Sequence, residues 1–143
     1  MGAISIDKIL VTPLDQITLE AGNVFHAMKD GDSGFIGFGE AYFSAIKFGA
    51  VKAWKRHLRM TLNLVVPVGM VQFVFIDEEN VFREELVGSD RYVRLTIPPG
   101  IWFGFKGLAN PSSILLNIAD IPHDPAEIER KTLLNIPFDW SKH

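Results

Sequence analysis

From residue 30 to residue 111 the chain is punctuated by turn residues: Asp30-Gly31-Asp32-Ser33-Gly34, Phe48-Gly49, Pro67-Val68-Gly69, residues 77–80, Pro98-Pro99-Gly100 and Asn110-Pro111. The segments between them are short and rich in β-branched and aromatic residues. That pattern leaves little room for an ordinary helix and is the mark of a β sandwich or barrel. The spacing predicts strands over 4–11, 24–28, 39–47, 50–57, 61–66, 70–76, 91–97, 101–105 and 113–119. Within 70–76, Phe73 and Phe75 alternate with Gln72 and Val74, and Trp102, Phe103 and Phe105 crowd a second strand. Aromatics at this period fit an all-β barrel or jelly roll better than any α/β arrangement. One helical signal stands near the end. Asp124-Pro125-Ala126-Glu127 offers an N-cap, a proline at the first helical position and an acid at the third, and so predicts a short C-terminal helix over 125–131.

The chain of 143 residues is the size of one domain spanning 1–143, and 48% hydrophobic with 22% charged residues excludes disorder. A net charge of -3 argues against a nucleic-acid partner, because phosphate backbones demand a cationic excess. A small anionic ligand needs only a few placed cations. With no cysteine, disulfides, thiolate metal sites and cysteine nucleophiles are excluded. The N-terminal stretch lacks a signal-peptide pattern, and Ile6 stands where an acylation motif opened by Met1-Gly2 requires a hydroxyl. The longest apolar run is broken by Pro67, Gly69 and Gln72, so no membrane span is expected, and the cytoplasm is the expected compartment.

The stretch "GAVKAWKRHLRMT", residues 49–61, carries the unusual chemistry. Strand alternation places Ala53, Lys55 and His57 on one face and Lys52, Trp54 and Arg56 on the other. If the first face looks into the core, Lys55 and His57 require a partner or a function. If it looks out, the stretch is a charged edge strand in solvent.

The spacing from Gly49 to His57 resembles the first cupin motif, and "IPPGIWFGF" (97–105) resembles the Pro-x-Gly segment that opens the second. Laid on this sequence, the four cupin metal-ligand positions are Lys55, His57, Thr61 and Phe103. A divalent ion requires several imidazoles or carboxylates, so the resemblance implies no metal and no other cofactor. More narrowly, the chain resembles the metal-independent cupins acting on nucleotide-linked keto sugars: dTDP-4-dehydrorhamnose 3,5-epimerase and the related 3,4-ketoisomerases. "ILVTPLDQITLEAGNVF", "GEAYFSAIKFGAVKAWKRH", "LTIPPGIWFGF" and "LLNIADIPHDPAEIER" carry that likeness along nearly the whole chain.

The resemblance implies a cupin-type jelly-roll β-barrel, a homodimer, and a nucleotide-linked 4-keto-6-deoxy sugar as ligand. It also implies proton abstraction beside the keto group. His57 is the expected base, Lys55 the enolate-stabilising or proton-transferring cation, and Tyr42 the proton donor or orienter. Arg59, Asn63, Trp102 and Asn117 are the expected substrate contacts. Three departures favour a second reading, a catalytically inactive cupin that binds a sugar or sugar nucleotide. Ala21 replaces a phosphate-contacting arginine, Lys55 stands at the epimerase's base histidine, and Leu116 falls near its tyrosine.

The remaining polar residues read as structural. His26 and His123 suit local hydrogen bonding, with Asp120 either an exposed strand end or a histidine partner. Glu78, Glu79, Glu84 and Glu85 read as a solvated face. Phe138 and Trp140 make the tail too apolar to hang free, so it is expected to dock on the barrel or on a partner subunit.

Overall fold

The computed structural model describes residues 4–143; the Met1-Gly2 motif lies outside them. Twelve strands form: β1 (Leu10–Pro13), β2 (Gln16–Ile17), β3 (Val24–Phe25), β4 (Glu40–Lys47), β5 (Val51–His57), β6 (Leu62–Val68), β7 (Met70–Ile76), β8 (Phe82–Gly88), β9 (Val93–Ile97), β10 (Trp102–Gly107), β11 (Ser112–Ala119) and β12 (Ile128–Arg130). They build two five-stranded antiparallel sheets, ordered β1-β9-β6-β11-β4 and β12-β5-β10-β7-β8, with β2 and β3 as a separate hairpin. From β4 to β11 successive strands pass from one sheet to the other, except for the β7–β8 hairpin within the second sheet, which is the jelly-roll arrangement. The two sheets face each other without a continuous ladder closing them into one barrel.

Each corner uses the turn chemistry the sequence advertises. Between β6 and β7, Gly69 has φ +96°, and a Cβ there would lie 2.2 Å from Ser113 Oγ. A side chain at this position would be both strained and overlapped. The inward faces of the sheets fill a core of Ile46, Leu62, Leu64, Val71, Phe73, Phe75, Leu95, Phe103 and Leu115, all at most 3% exposed. Phe73 and Phe75 point into this core, while Val74 and Ile76 point out with Trp54 and Trp102. The tail docks on its own second sheet: Trp140 lies 5.5 Å from Trp54, and Phe138 lies 5.4 Å from Phe82.

Several expectations are corrected. The predicted helix over 125–131 is only a single 3₁₀ turn, Pro125–Glu127, followed by β12. Asp124 does cap it, accepting from the Ala126 amide at 3.0 Å. The chain then extends because the open edge of β5 offers a ladder to Ile128, Glu129 and Arg130. The predicted strand over 4–11 is a 3₁₀ turn, Ile6–Lys8, ahead of β1. Glu84 and Glu85 belong to β8 and are engaged: Glu84 accepts from Gln72, and Glu85 pairs with Arg83 and Arg91. Their charges hid a strand whose residues 85 and 87 lie opposite Phe73 and Val71.

Candidate active site

Strand β5 runs along the second sheet between β10 and β12, and its inner face meets the core. Lys55 is paired with Phe103, whose ring is in that core, so Lys55 points inward and His57 follows two residues later. The alternation expected for the strand breaks just before them. Phe105 pairs with Lys52 while Phe103 pairs with Lys55, so the register slips by one residue. Two residues of β5 are spent against one of β10, as in a β-bulge. Lys52 therefore joins Lys55 on the inner side instead of sharing the outer face with Trp54. Strict period-two reasoning missed it.

His57 is 5% exposed, and its Nδ1 lies 2.5 Å from Glu127 Oε1; Glu127 is 1% exposed. The other carboxylate oxygen accepts from the amides of Leu58, Arg59 and Met60 at 3.2, 3.1 and 3.1 Å. Burial alone would push this carboxyl up. The hydrogen bonds from His57 and from the Arg59 and Met60 amides outweigh it and hold the group below its ordinary range. Burial likewise pushes the His57 imidazole down, with Lys55 and Arg130 adding to the effect and Glu127 opposing it. The pair is thus a neutral imidazole against a carboxylate. A carboxylate can only accept, so Nδ1 carries the hydrogen and Nε2 presents its lone pair. Nε2 is buried and has no hydrogen-bond partner. Glu127 is the residue sequence reasoning missed, having been assigned to a helix turn. Asp120, the histidine partner considered from sequence, instead accepts from the Thr61 amide at 2.7 Å.

Between the sheets, at the open end bounded by β4 and β12, lies a cavity of about 370 Å³, within the usual range for small-molecule sites. One wall is Tyr42 and Ser44 of β4 with Asn117 of β11, whose amide donates to Ser44 Oγ at 3.0 Å. The opposite wall is Lys52 and Lys55 with Phe103 and Phe105, and Arg130 and Lys131 stand at the rim. Four cations and no carboxylate line it. The ring of His57 stacks on Phe103 at 6.3 Å, just behind the wall that Lys55 and Phe103 form. Burial pushes the Lys55 ammonium below its ordinary value, Arg130 and Lys52 add to this, and Glu127 opposes it. Burial and the nearby Glu40 push the Tyr42 phenol up, so it stays protonated and able to donate.

Lys55, Tyr42 and Asn117 meet at this cavity, and His57 adjoins it. The other three expected contacts are elsewhere. Asn63 turns to the outer side of its sheet, where it accepts from Thr96 Oγ1 at 2.6 Å and donates to Gly34 O at 3.0 Å. Arg59 pairs with Asp124 at the surface. Trp102 lies on the outer face of the second sheet under Arg56 and Lys131, in a separate groove of about 540 Å³. Leu116 points away from the cavity, beside Ile118, and its neighbour Asn117 takes the inward position. Of the four cupin ligand positions, His57 alone has a ligating side chain of the usual kind, and no three His, Cys, Asp or Glu side chains converge among the described residues.

No protein-family model matches the chain. A probable low-salt glycan biosynthesis epimerase from Haloferax volcanii is 28% identical over 106 residues. The match covers 69% of this chain and 66% of that relative, so the chain spans just under two thirds of its length. The dTDP-6-deoxy-D-glucose-3,5-epimerase of Legionella pneumophila, solved with dTDP-4-keto-L-rhamnose, superposes with a TM-score of 0.80 at 16% identity, covering 98% of this chain and 83% of that one. That likeness establishes the jelly-roll fold. The dTDP sugar isomerase of Desulfovibrio desulfuricans superposes with a TM-score of 0.90 and is 36% identical, covering 96% of this chain and 93% of the other. Identity at that level over nearly the whole of both chains places this protein in the dTDP-sugar isomerase family.

Proposed function

We propose that the protein is an epimerase or isomerase of a nucleotide-linked 4-keto-6-deoxy sugar, working by proton abstraction next to the keto group without a metal. The observation that carries this reading is the buried His57–Glu127 pair, set behind a cavity whose opening is ringed by Lys52, Arg130 and Lys131. Cations at the rim suit the diphosphate, and the narrower interior between Tyr42, Asn117 and Phe103 suits the sugar. Removing a proton beside a ketone takes a positioned base held in its unprotonated form, and one such group contributes roughly 10²–10⁴-fold. His57 Nε2 is that base. Glu127 fixes its tautomer and steadies the imidazolium formed on proton uptake. Lys55 offsets the negative charge that develops as the proton leaves, and Tyr42, on the facing wall, returns a proton to the opposite side of the ring.

The protein acts as a cytoplasmic homodimer in this reading. Edge strand β4 and the segment before it expose Ile36, Phe38 and Phe43 at 68%, 66% and 69%, an apolar surface suited to a second copy. Light scattering on the purified protein tests the dimer. Incubation with dTDP-4-keto-6-deoxyglucose in deuterated water tests the chemistry. Deuterium appears at the carbon next to the ketone if the reading holds. Thermal stabilisation by dTDP with no deuterium uptake from any such sugar would mean a binder that has lost its chemistry.

A further inference from the structure

We propose that Lys55 acts covalently: its amine condenses with the C4 ketone of the sugar, and the resulting iminium commits the protein to epimerisation rather than to moving the keto group to C3. This rests on the keto-sugar reading above. Lys55 stands on the inner face of β5 with its ammonium 5.7 Å from the centre of the Phe103 ring. Arg130 is its direct cross-strand neighbour on β12, and the register slip brings Lys52 to the same cavity wall. The carboxylate whose charge acts on Lys55, Glu127, is fully engaged by His57 and three amides. A lysine in an apolar wall beside other cations favours the neutral amine, which is the nucleophilic form. Burial and Arg130 do displace its titration in that direction. Lys52 is different: its ammonium lies near the surface and donates to Ala45 O at 3.0 Å.

The steps balance without a cofactor. The amine adds to C4, the carbinolamine loses water with uptake of one proton, and a C4 iminium remains. His57 Nε2 takes the proton from the adjacent carbon, and the C–H electrons form the enamine as the iminium nitrogen recovers its pair. Protonation of that carbon from the Tyr42 side inverts it, and one water then releases the ketone, the free amine and the proton. If C4 were protonated instead, with the hydroxyl-bearing C3 becoming the ketone, a stable C–N bond would hold the sugar on Lys55. A lysine iminium is therefore compatible with turnover as an epimerase and incompatible with turnover as a 3,4-ketoisomerase.

The test combines the full-length protein, dTDP-4-keto-6-deoxyglucose and cyanoborohydride, followed by peptide mass spectrometry, with deuterium wash-in measured in parallel. The expected result is an adduct on Lys55 equal in mass to the substrate less one oxygen, and a product that keeps its ketone at C4. Lys55→Arg should lose the adduct and slow wash-in by about a hundredfold, while dTDP still raises its melting temperature. Wash-in without an adduct, an adduct on Lys52, wash-in by Lys55→Arg near the wild-type rate, or a 3-keto product each overturns the covalent role and leaves the keto-sugar reading standing. Neither wash-in nor adduct overturns both.

Discussion

Glu127 is where the fold and the proposed chemistry depend on one side chain, and its removal separates the two. In Glu127→Ala the amides of Arg59 and Met60 and the Nδ1–H of His57 lose their acceptor, whereas the Leu58 amide keeps the Glu127 carbonyl at 2.7 Å. A donor left unsatisfied in a buried place costs about 1–3 kcal/mol. Taking the low end for the two amides, which a water entering the space left by the side chain partly satisfies, and about 1–2 kcal/mol for the imidazole gives a loss of about 3–4 kcal/mol. For a domain of this length that lowers the melting temperature by about 10 °C. Glu127→Gln keeps the shape and one acceptor, so it should lose only about 1 kcal/mol. If its oxygen stays on the three amides, its NH₂ faces Nδ1, which must then accept. The hydrogen moves to Nε2 and the base is gone. Urea unfolding and deuterium wash-in on the two variants give the comparison: Ala unstable, Gln stable but at least about a hundredfold slower. An Ala variant losing under about 1 kcal/mol, or a Gln variant with full wash-in, would refute the assignment of Glu127 as the tautomer-fixing partner.

Further outcomes follow from the same geometry. Burial places the His57 pKa below its ordinary value. Folded and unfolded states therefore carry the same charge at this residue above about pH 6.5. As pH falls below that, the unfolded chain takes up the proton first and stability declines until the folded state also protonates. Urea midpoints should fall more steeply with each pH step below about 6.5 than above it, and the added slope should be smaller in a His57→Asn variant. A Cβ on Gly104 would lie 2.5 Å from Ala53 Cβ and 3.1 Å from Lys52 O, so Gly104→Ala should cost about 1–3 kcal/mol by overpacking. It should also weaken dTDP binding, read by calorimetry, because it displaces the bulge that turns Lys52 inward. The guanidinium of Arg94 is 0% exposed and donates to the carbonyls of Ala27 and Ser33 while pairing with Asp32. Arg94→Met should cost about 2 kcal/mol or more and open residues 27–33 to limited proteolysis.

Turn chemistry and period-two alternation made most of the fold readable, because Gly69, Gly49 and the Pro98-Pro99-Gly100 segment end strands wherever they occur. What stayed hidden has a common physical cause: partners distant in sequence decide it. Residues 128–130 have no strand pattern of their own and become β12 only because β5 has an open edge. Glu127 reads as a helix acid until it is seen 70 residues away from its partner His57. The slip between β5 and β10 reverses Lys52, and nothing in the local alternation announces it. Arg59 and Asn63 would reach the cavity only if the inward face of β5 continued past the turn at its end. That turn instead gives its amides to Glu127 and starts β6 in the opposite sheet, with Leu62 and Leu64 inward.

The arrangement also bears on whether the site has kept its chemistry. Holding a diphosphate would require only the rim cations Lys52, Arg130 and Lys131, which are exposed and inexpensive to keep. The interior is different. A carboxylate 1% exposed and an imidazole nitrogen left buried without a partner both reduce stability relative to apolar side chains of the same size. If the protein only bound its ligand, replacing the pair by a packed apolar one, as in His57→Leu/Glu127→Leu with the Arg59 and Met60 amides left to a single water, should leave dTDP affinity within about threefold, or under about 1 kcal/mol. The same double variant should abolish deuterium wash-in if the pair performs the proton transfer. Undiminished wash-in in a protein that still binds dTDP would move the base to Lys55 alone.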